Sequence, residues 1–497
     1  MSYSRFFLSS EKAEEILEKG IKRIHFVGAL GAGMLPLAKL CRHLGYDISG
    51  SDARVGKSDF SIELSAGDDI GEASRGAFRL FDGGSNPFIT PITPHAHGLL
   101  CEVDLLVASF AIPEDAPEIV DAVARRIPIV SRAELLGALM TRYKRRVGIC
   151  GSHGKSTTTA LVDKMLCTGG VSHITVSGAT LFDGLDIRIE PSDTFVYEAC
   201  EYRDAFLRFH PTLQIITSIE LDHTDYFADI DAIRRSFLLA ANKAESGVVL
   251  NADFSGSAEF AATLSAPVVT YGRAESADYR YAIDEKGREG YKFRILRRGE
   301  PFLNLQTPLV GEYNVANITA AVAAADMLGV DSDAIARAVA EFGGIERRMS
   351  YLARLGDTDI FYDYAHHPTE IAAAIAAVRD RYDSCAVIFK PHTYSRTKAL
   401  WSEFIRAFDR SDATILLDIY PAREAEIDGV TSENLARDMG YGAFYTNEEG
   451  AIRHILDGKY PAVIIMGAGD MSALVDMIKK CDTNLNNKEY LHRKEEY

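Results

Sequence analysis

The sequence has few cysteines, fewer basic than acidic residues, and no long apolar run. Its seven cysteines in 497 residues show neither paired nor Cys-x-x-Cys spacing, which argues against a disulfide scaffold and favours reduced thiols in a cytosolic protein. There are 54 Lys and Arg against 71 Asp and Glu, giving a net charge of −17, so general binding to nucleic-acid backbones is disfavoured. No uninterrupted apolar stretch approaches the length of a membrane span, and no secretory signal begins the chain. We therefore expect a cytoplasmic protein without nucleic-acid or membrane partners.

The length and the pattern of apolar residues predict several α/β domains. A chain of 497 residues corresponds to about three domains at roughly 100–200 residues each. Short β-branched runs alternate with helical runs in three blocks, which open at 24–27, at 147–150 and near 343. This alternation is typical of parallel sheets built from βαβ units. Between 271 and 307 the pattern changes to alternation around 285–287, which predicts an antiparallel hairpin.

The strongest motif is residues 151–158, which read GSHGKSTT between an apolar strand and a helix. Glycines let the backbone wrap a phosphate, and the helix N-terminus directs free N–H groups at it. Lys155 would reach the β- and γ-phosphates, and the Ser156 hydroxyl would ligate Mg²⁺. The full P-loop requires a glycine where Ile149 stands, so this is a shortened form, and the alternative is an ordinary glycine-rich turn.

Two candidate metal ligands follow neighbouring predicted strands of the second block. Glu198 ends the strand predicted at 195–197, and His223 lies just past the strand predicted at 213–219. Parallel strands would bring both residues to one sheet edge, beside the phosphate loop, where a carboxylate can hold Mg²⁺. The alternative is that the acids in this region, Glu201 among them, are solvated loop charges.

A glycine turn also follows the first strand. Gly28, Gly31 and Gly33 precede a helix, and Asp52 comes 24 residues after Gly28. The spacing G-x-x-G-x-G departs from the dinucleotide fingerprint G-x-G-x-x-G. The motif still indicates a diphosphate-binding turn, and its alternatives are a purely structural turn or a nicotinamide-dependent oxidoreductase.

Two polar motifs end predicted strands of the third block. Residues 363–368 read DYAHHP and residues 391–397 read PHTYSRT. Both fall at carboxyl ends of strands, where open α/β sheets bind ligands. Clustered His, Tyr and Arg suit a small carboxylate, because Arg can bind it bidentately. Arg347, at the block boundary, is a candidate phosphate contact.

Together these motifs resemble the Mur ligases along nearly the whole chain. The matching stretches are 28–34 (family GxGGAGM), 151–158 (GTHGKTTT), 198–201 (EADE), 219–223 (NIEADH), 311–317 (GxHNxxN) and 363–370 (DYGHHPTE). The resemblance is strongest to the members that join L-alanine to UDP-N-acetylmuramate. It implies an ATP-dependent ligase of peptidoglycan precursor synthesis, acting on the lactyl carboxylate through an acyl phosphate.

The resemblance also implies an α/β fold of three domains, with partners for each. These are a Rossmann-like UDP-sugar domain over 1–143, a central P-loop-type ATPase domain with a mostly parallel sheet over 144–343, and a Rossmann-like amino-acid domain over 344–497. ATP is the expected co-substrate and Mg²⁺ or Mn²⁺ the expected cofactor. UDP-N-acetylmuramate and L-alanine are the other expected partners, and the expected assembly is a monomer or homodimer.

Site residues follow from the same resemblance and from the motifs. The expected catalytic residues are Lys155, His223 and Glu198, and the expected metal ligands are Ser156, Glu198 and His223. The expected ATP-binding residues are Gly151, Ser152, His153, Gly154, Lys155, Ser156, Thr157, Asn314, Arg347 and Asp363. The expected UDP-sugar residues are Gly28, Gly31, Gly33, Asp52 and Ser109. The expected amino-acid residues are Tyr364, His366, His392 and Arg396.

Several positions depart from the family pattern. Leu30 replaces a glycine, Ser218 replaces an asparagine, and Thr393 stands where many members have arginine, while 202–204 reads YRD and adds a cation near the metal ligands. The loop at 82–98 fits no known pattern. Two ligase-like alternatives stay open: a murein tripeptide recycling ligase and a non-catalytic nucleotide-binding homologue.

Overall fold

The computed structural model describes residues 7–52, 79–80, 103–110, 112–223, 226–287, 289–422, 424–440, 442–456 and 460–481. The 82–98 loop and the polar tail from 482 lie outside these residues. The described part of the chain forms three separate sheets of five, ten and six strands. The predicted three-domain α/β fold is therefore confirmed. The domain limits at 143/144 and 343/344 stay predictions.

The first sheet is entirely parallel, in the order β3-β2-β1-β4-β5. Its strands are β1 (Arg23–Val27), β2 (Asp47–Ser51), β3 (Arg79–Leu80), β4 (Leu105–Ala108) and β5 (Ile129–Ser131). Its helices are α1 (Ser10–Glu18), α2 (Met34–His43), α3 (Pro117–Ala124) and α4 (Arg132–Met140). The N-cap of α1 is Ser9, whose hydroxyl accepts from the Lys12 amide.

The second sheet has the order β15-β14-β13-β12-β11-β10-β6-β9-β7-β8. Its strands are β6 (Arg145–Cys150), β7 (Ile174–Val176), β8 (Ile187–Ile189), β9 (Thr194–Glu198), β10 (Leu213–Ile216), β11 (Gly247–Asn251), β12 (Val268–Gly272), β13 (Tyr279–Gly287), β14 (Gly290–Arg297) and β15 (Glu300–Thr307). Its helices are α5 (Lys155–Thr168), α6 (Ile230–Ala241), α7 (Ser257–Ala262), α8 (Glu312–Met327) and α9 (Ser332–Glu341), with a 3₁₀ helix at Tyr202–Arg208. The strands from β9 to β13 pair in parallel, whereas β13, β14 and β15 form the predicted antiparallel hairpin and its extension.

The third sheet has the order β16-β17-β21-β18-β19-β20, and only the β16–β17 pair is antiparallel. Its strands are β16 (Ser350–Leu355), β17 (Thr358–Asp363), β18 (Ala386–Phe389), β19 (Ala413–Leu416), β20 (Ala443–Tyr445) and β21 (Ala462–Met466). Its helices are α10 (Pro368–Arg379), α11 (Tyr394–Ala399), α12 (Trp401–Ala407), α13 (Ser432–Met439) and α14 (Glu448–Leu456), followed by a helix at 472–481.

The strand order decides which loops meet. β6 lies between β9 and β10, with Ile149 opposite both Glu198 and Ile215. The loops after these three strands therefore leave the same edge of the sheet. Behind them α5 packs its buried Leu161 and Met165 into the core shared with α8 and α9. This apolar packing anchors the first turn of α5 directly behind the phosphate loop.

Two sequence expectations concern the whole chain. The six cysteines within the described residues are free thiols. Among the helices of the described ranges, none combines the length and hydropathy that a membrane crossing requires.

Candidate active site

The loop between β6 and α5 is built on two glycines with left-handed backbone. Gly151 has φ 139° and Gly154 has φ 82°. A side chain on Gly151 would collide with the Thr217 hydroxyl, and one on Gly154 would collide with the Asn317 amide. Both positions therefore require glycine, because the backbone conformation and the lack of space each exclude a Cβ. The loop opens onto the N-terminus of α5, as a phosphate-binding turn does.

The ammonium of Lys155 lies over this loop and is held by a buried acid. It donates to the carbonyls of Gly151 at 2.5 Å and Ser152 at 3.2 Å, and to Glu201 Oε1 at 2.9 Å. Glu201 is fully buried, and its Oε2 has no hydrogen-bond partner among the residues that the structure describes. Burial alone would lower the pKa of Lys155, but the Glu201 carboxylate outweighs it and the pKa is raised. Lys155 is therefore a fixed cation at the phosphate loop.

Ser156 and Glu198, two of the expected metal ligands, lie together. The Ser156 hydroxyl donates to Glu198 Oε2 at 3.0 Å. The same oxygen accepts from the Ser177 hydroxyl and the Gly178 amide, both at 3.1 Å. A hydroxyl beside a carboxylate is a hard oxygen donor set, which fits Mg²⁺. The fit holds for these two residues.

The third expected metal ligand, His223, has a different neighbour. Its Nε2 lies 3.6 Å from Glu201 Oε1, and its ring packs on Tyr202 with centroids 4.7 Å apart. His223 has a left-handed backbone, with φ 52°. The Glu201 carboxylate therefore joins His223 to Lys155, and the role of His223 as a metal ligand stays a prediction.

The remaining expected ATP contacts lie around the same edge. Asn314 is buried in the first turn of α8 and donates to the Val310 carbonyl at 2.7 Å. Asp363, at the end of β17, accepts from the amides of Met349 and Ala365. Burial raises the pKa of Asp363 to about 6. Arg347 stacks on two tyrosine rings, 5.2 Å from that of Tyr362 and 4.8 Å from that of Tyr364.

Ser152, His153 and Thr157 complete the phosphate loop. The Ser152 hydroxyl donates to the Glu220 carbonyl at 3.0 Å, and the Glu220 amide donates back to that hydroxyl at 2.8 Å. Thr157 is buried in the first turn of α5. The His153 side chain leaves the loop and contacts Glu370 of the third sheet's domain.

The four residues expected to bind an amino acid form one cluster. The ring centroids of Tyr364 and His366 are 5.4 Å apart, and those of His366 and His392 are 6.0 Å apart. Arg396 Nη1 lies 3.1 Å from His392 Nδ1. Burial lowers the pKa values of His366 and His392 to about 4, so both rings are neutral near pH 7. Arg396 is therefore the cation of this cluster.

Arg396 also joins the cluster to the central domain. Its Nη2 donates to Asp222 Oδ1 at 2.8 Å, and both side chains are buried. Burial would raise the pKa of Asp222, but the Arg396 charge outweighs it and the pKa is lowered. Asp222 immediately precedes His223, so this ion pair brings the cluster expected to bind an amino acid to the edge that carries the phosphate loop.

The N-terminal glycine turn has a defined brace. Gly28 has φ 77°, and its amide and that of Ala29 donate to the Ser51 carbonyl at 2.7 and 3.0 Å. Asp52 is buried and accepts from the Leu30 amide at 3.0 Å. Asp52 thus fixes the turn, and its part in UDP-sugar binding stays a prediction.

The other expected UDP-sugar residues lie at the same sheet edge. Gly31 is inside the turn, Gly33 directly precedes α2, and Ser109 follows β4, the neighbour of β1. Their positions agree with a ligand site at the carboxyl ends of these strands.

Sequence reasoning did not single out three acids that organise the site. These are Glu201 beneath Lys155, Asp222 against Arg396, and Glu370 against His153. Each stands in a stretch that resembles the Mur ligases, but from the sequence Glu201 and Asp222 could equally be solvated loop charges. The available signal was a place shortly after a buried strand for Glu201 and Asp222, and a place in the first turn of a helix for Glu370. Neither signal reveals the partner.

Comparisons with known proteins agree along the chain. Residues 23–144 match the Mur ligase family catalytic domain, 149–325 the Mur ligase middle domain, and 347–469 the Mur ligase glutamate ligase domain. A UDP-N-acetylmuramate–L-alanine ligase of Agathobacter rectalis is 34% identical, covering 92% of this chain and 98% of that protein. One from an Anaeromyxobacter species is 35% identical over 91% and 96%.

Solved structures agree on the fold. The UDP-N-acetylmuramate-alanine ligase of Thermotoga maritima superposes with a TM-score of 0.72 at 23% identity, covering 93% of this chain and 99% of that one. A murein peptide ligase of Psychrobacter arcticus superposes with a TM-score of 0.63 at 19% identity, covering 93% and 98%. With three matching domains in order and close relatives over nine-tenths of its length, this chain belongs to the Mur ligase family.

Proposed function

We propose that this protein is an ATP-dependent ligase that joins L-alanine to the lactyl carboxylate of UDP-N-acetylmuramate in peptidoglycan precursor synthesis. The observation that carries the proposal is the Asp222–Arg396 ion pair at 2.8 Å. It unites a phosphate loop bearing Lys155 with a cluster suited to an amino-acid carboxylate. The relatives bearing that activity, at 34–35% identity, support the same substrates.

The reaction requires activation of the acid, because a carboxylate is a poor electrophile. A lactyl carboxylate oxygen attacks the γ-phosphorus of ATP, the bond to the bridging oxygen breaks, and ADP leaves an acyl phosphate behind. The alanine amine then attacks the acyl carbon, a tetrahedral intermediate collapses, and phosphate departs as the amide forms. Lys155 offsets the charge on the transferring phosphoryl group.

Other residues bind alanine and the metal ion and exclude water from the site. Arg396 binds the alanine carboxylate, with Tyr364, His366 and His392 around it. Ser156 and Glu198 would hold Mg²⁺, which supplies further charge neutralisation at the phosphates when bound, and His223 is proposed as an additional ligand. Closure between the central and third domains, through buried contacts such as Asp222–Arg396, keeps water from the acyl phosphate.

Three further expectations belong to the proposal. These are a cytoplasmic location, Mg²⁺ or Mn²⁺ as the cofactor, and a monomeric or homodimeric state. The 82–98 loop has no assigned role.

The test is release of ADP and phosphate from ATP with UDP-N-acetylmuramate, with and without L-alanine. The proposal expects release that depends on both substrates, and an ¹⁸O label in the lactyl carboxylate that appears in the released phosphate. Sustained release over many turnovers without alanine, or unlabelled phosphate, would contradict the mechanism, whereas one equivalent of ADP per enzyme without alanine agrees with its first step.

Three measurements separate the alternatives: a substrate panel in the ADP-release assay, calorimetry and absorbance. A panel of amino acids and the murein tripeptide distinguishes the recycling ligase, which would prefer the peptide. ATP binding by calorimetry without turnover would indicate the non-catalytic homologue. Absorbance change at the nicotinamide band would indicate the oxidoreductase, which the family membership of residues 23–144 disfavours.

A further inference from the structure

A side chain of the phosphate loop makes a hydrogen bond directly to the third domain. His153, between two loop glycines, donates from Nδ1 to Glu370 Oε1 at 3.0 Å. The two side chains are only 16% and 14% exposed. Because the loop glycines fix the backbone of His153, its ring cannot move far without breaking this bond.

The second oxygen of Glu370 holds the backbone of the carboxylate-binding cluster. Glu370 Oε2 accepts from the amides of His366 at 3.1 Å and His367 at 3.2 Å. The latter bond is half of the capping box that starts α10. One carboxylate therefore connects the loop expected to bind ATP with the backbone of His366, a residue expected to bind alanine.

The neighbouring carboxylates keep His153 protonated in this hydrogen bond. Glu220 Oε2 lies 3.6 Å from His153 Nε2, and the His367 ring lies 5.1 Å from the His153 ring. Burial opposes protonation of His153, but Glu370 and Glu220 together raise its pKa to about 10. The His153–Glu370 contact is thus a buried, charge-assisted hydrogen bond between domains.

We propose that His153 and Glu370 form an inter-domain strap that positions the alanine-binding backbone relative to the phosphate loop and thereby sets the affinity for L-alanine. The proposal rests on the proposed function. Glu370 is a positioning residue, because it acts through His366 and the His153 ring rather than on the reacting atoms.

The central test is the variant Glu370→Gln. Glutamine retains an oxygen for the capping box, which accepts Glu or Gln at this position, but it removes the charge that His153 binds. We expect the KM for L-alanine to rise about tenfold or more, the scale of a lost hydrogen bond to a charged group. We expect the KM for ATP to stay close to that of the parent. The melting temperature should fall, because the buried His153 keeps only the Glu220 carboxylate 3.6 Å away, so the KM values are measured at a temperature where both proteins are folded.

The matched control is Glu134→Gln. Glu134 occupies the same position in the capping box of α4 and accepts from Arg208 Nε of the central domain at 2.9 Å. It makes the same kind of inter-domain bond, away from the alanine cluster. The strap predicts that this variant keeps the parental KM for L-alanine.

A second measurement does not depend on activity. In His153→Ala the capping box is intact, yet the strap predicts faster amide hydrogen exchange at 364–367, in the other domain. The double variant with Glu370→Gln is expected to raise the KM for L-alanine no further than Glu370→Gln alone, because both changes remove one bond.

The outcomes separate the strap from the proposed function. Absence of alanine-dependent ADP release in the parent refutes the proposed function, and the exchange experiment then decides the strap. An unchanged KM for L-alanine in a folded Glu370→Gln protein overturns the strap. So does unchanged exchange at 364–367 in His153→Ala.

Discussion

Two buried acids at α5 each pair with basic side chains, but only one of the two acids belongs to the candidate site. Glu201 lies beside the N-terminal end of the helix and pairs with Lys155, and within the described ranges its second oxygen accepts no hydrogen bond. Asp163, in the middle of the helix, accepts from His173 at 2.8 Å and from Arg188 at 3.0 Å. Its second oxygen also accepts from Arg188.

The two acids differ in whether all their oxygens already have hydrogen-bond partners and in where they lie relative to the sheet edge. Asp163, Cys167 and His173 have the residue types of a metal site and lie close together. However, Arg188 already neutralises the acid, and His173 Nδ1 bonds to the Val171 carbonyl at 2.7 Å. A buried ion pair therefore indicates a ligand site only where it lies at the carboxyl edge of the sheet and leaves polar atoms for the ligand.

The largest effect is expected when the pair of Lys155 and Glu201 is broken. Lys155→Ala should reduce alanine-dependent ADP release by at least on the order of 10³-fold, because the transferring phosphoryl group loses its fixed cation. Lys164→Ala, on the same helix and paired with the exposed Glu341, is the control and should keep parental turnover. Near-parental turnover in Lys155→Ala would refute the assigned role.

Removing the charge of the other acid should affect stability instead. Asp163→Asn leaves the buried His173 without its anion and Arg188 with Asp183 as its remaining acidic partner. Breaking such a buried pair costs about 3–5 kcal/mol in the free energy of unfolding. Urea unfolding measures the loss, and the folded fraction should retain the parental KM for ATP. A change below about 1 kcal/mol would mean that the cluster does not carry the stability assigned to it.

The same cluster predicts a pH dependence. Burial opposes the charge on His173, but Asp163 raises its pKa to about 9, above the usual value of 6.5. The folded state therefore binds the proton more tightly, and this stabilisation is complete below about pH 6.5 and is lost as the pH rises through about 9. The unfolding free energy should fall over that window in the parent, and less steeply in His173→Gln. Equal slopes would contradict the protonated state.

The smallest effect is expected at an exposed pair between domains. Lys39 and Asp186 lie 2.9 Å apart with about a third of each side chain exposed, at 32% and 30%. Solvent screens such pairs, so Lys39→Ala should change the unfolding free energy by less than about 1 kcal/mol. A larger loss of unfolding free energy, measured by urea unfolding, would show that solvent exposure does not explain why this pair should matter less than the Asp163 cluster.

Much of the fold was accessible from the sequence, since strand and helix patterns are local. The strand predicted at 195–197 lies within β9, the second block opens at 147–150 within β6, and the hairpin around 285–287 is present. The phosphate loop was accessible for the same reason, as its glycines, Lys155 and Ser156 all lie within residues 151–156. Glu201 was not, because it lies 46 residues from Lys155 and only the strand order brings the two together.

The sequence by itself determined the three α/β blocks, the loop at 151–158 and the residue types of the motifs at 363–368 and 391–397, because each is encoded by neighbouring residues. The tertiary structure decided which charges pair. Asp222 meets Arg396 across 174 residues and His153 meets Glu370 across 217. Such pairs depend on how separate sheets pack, and a buried charge is stable only where that packing supplies its partner.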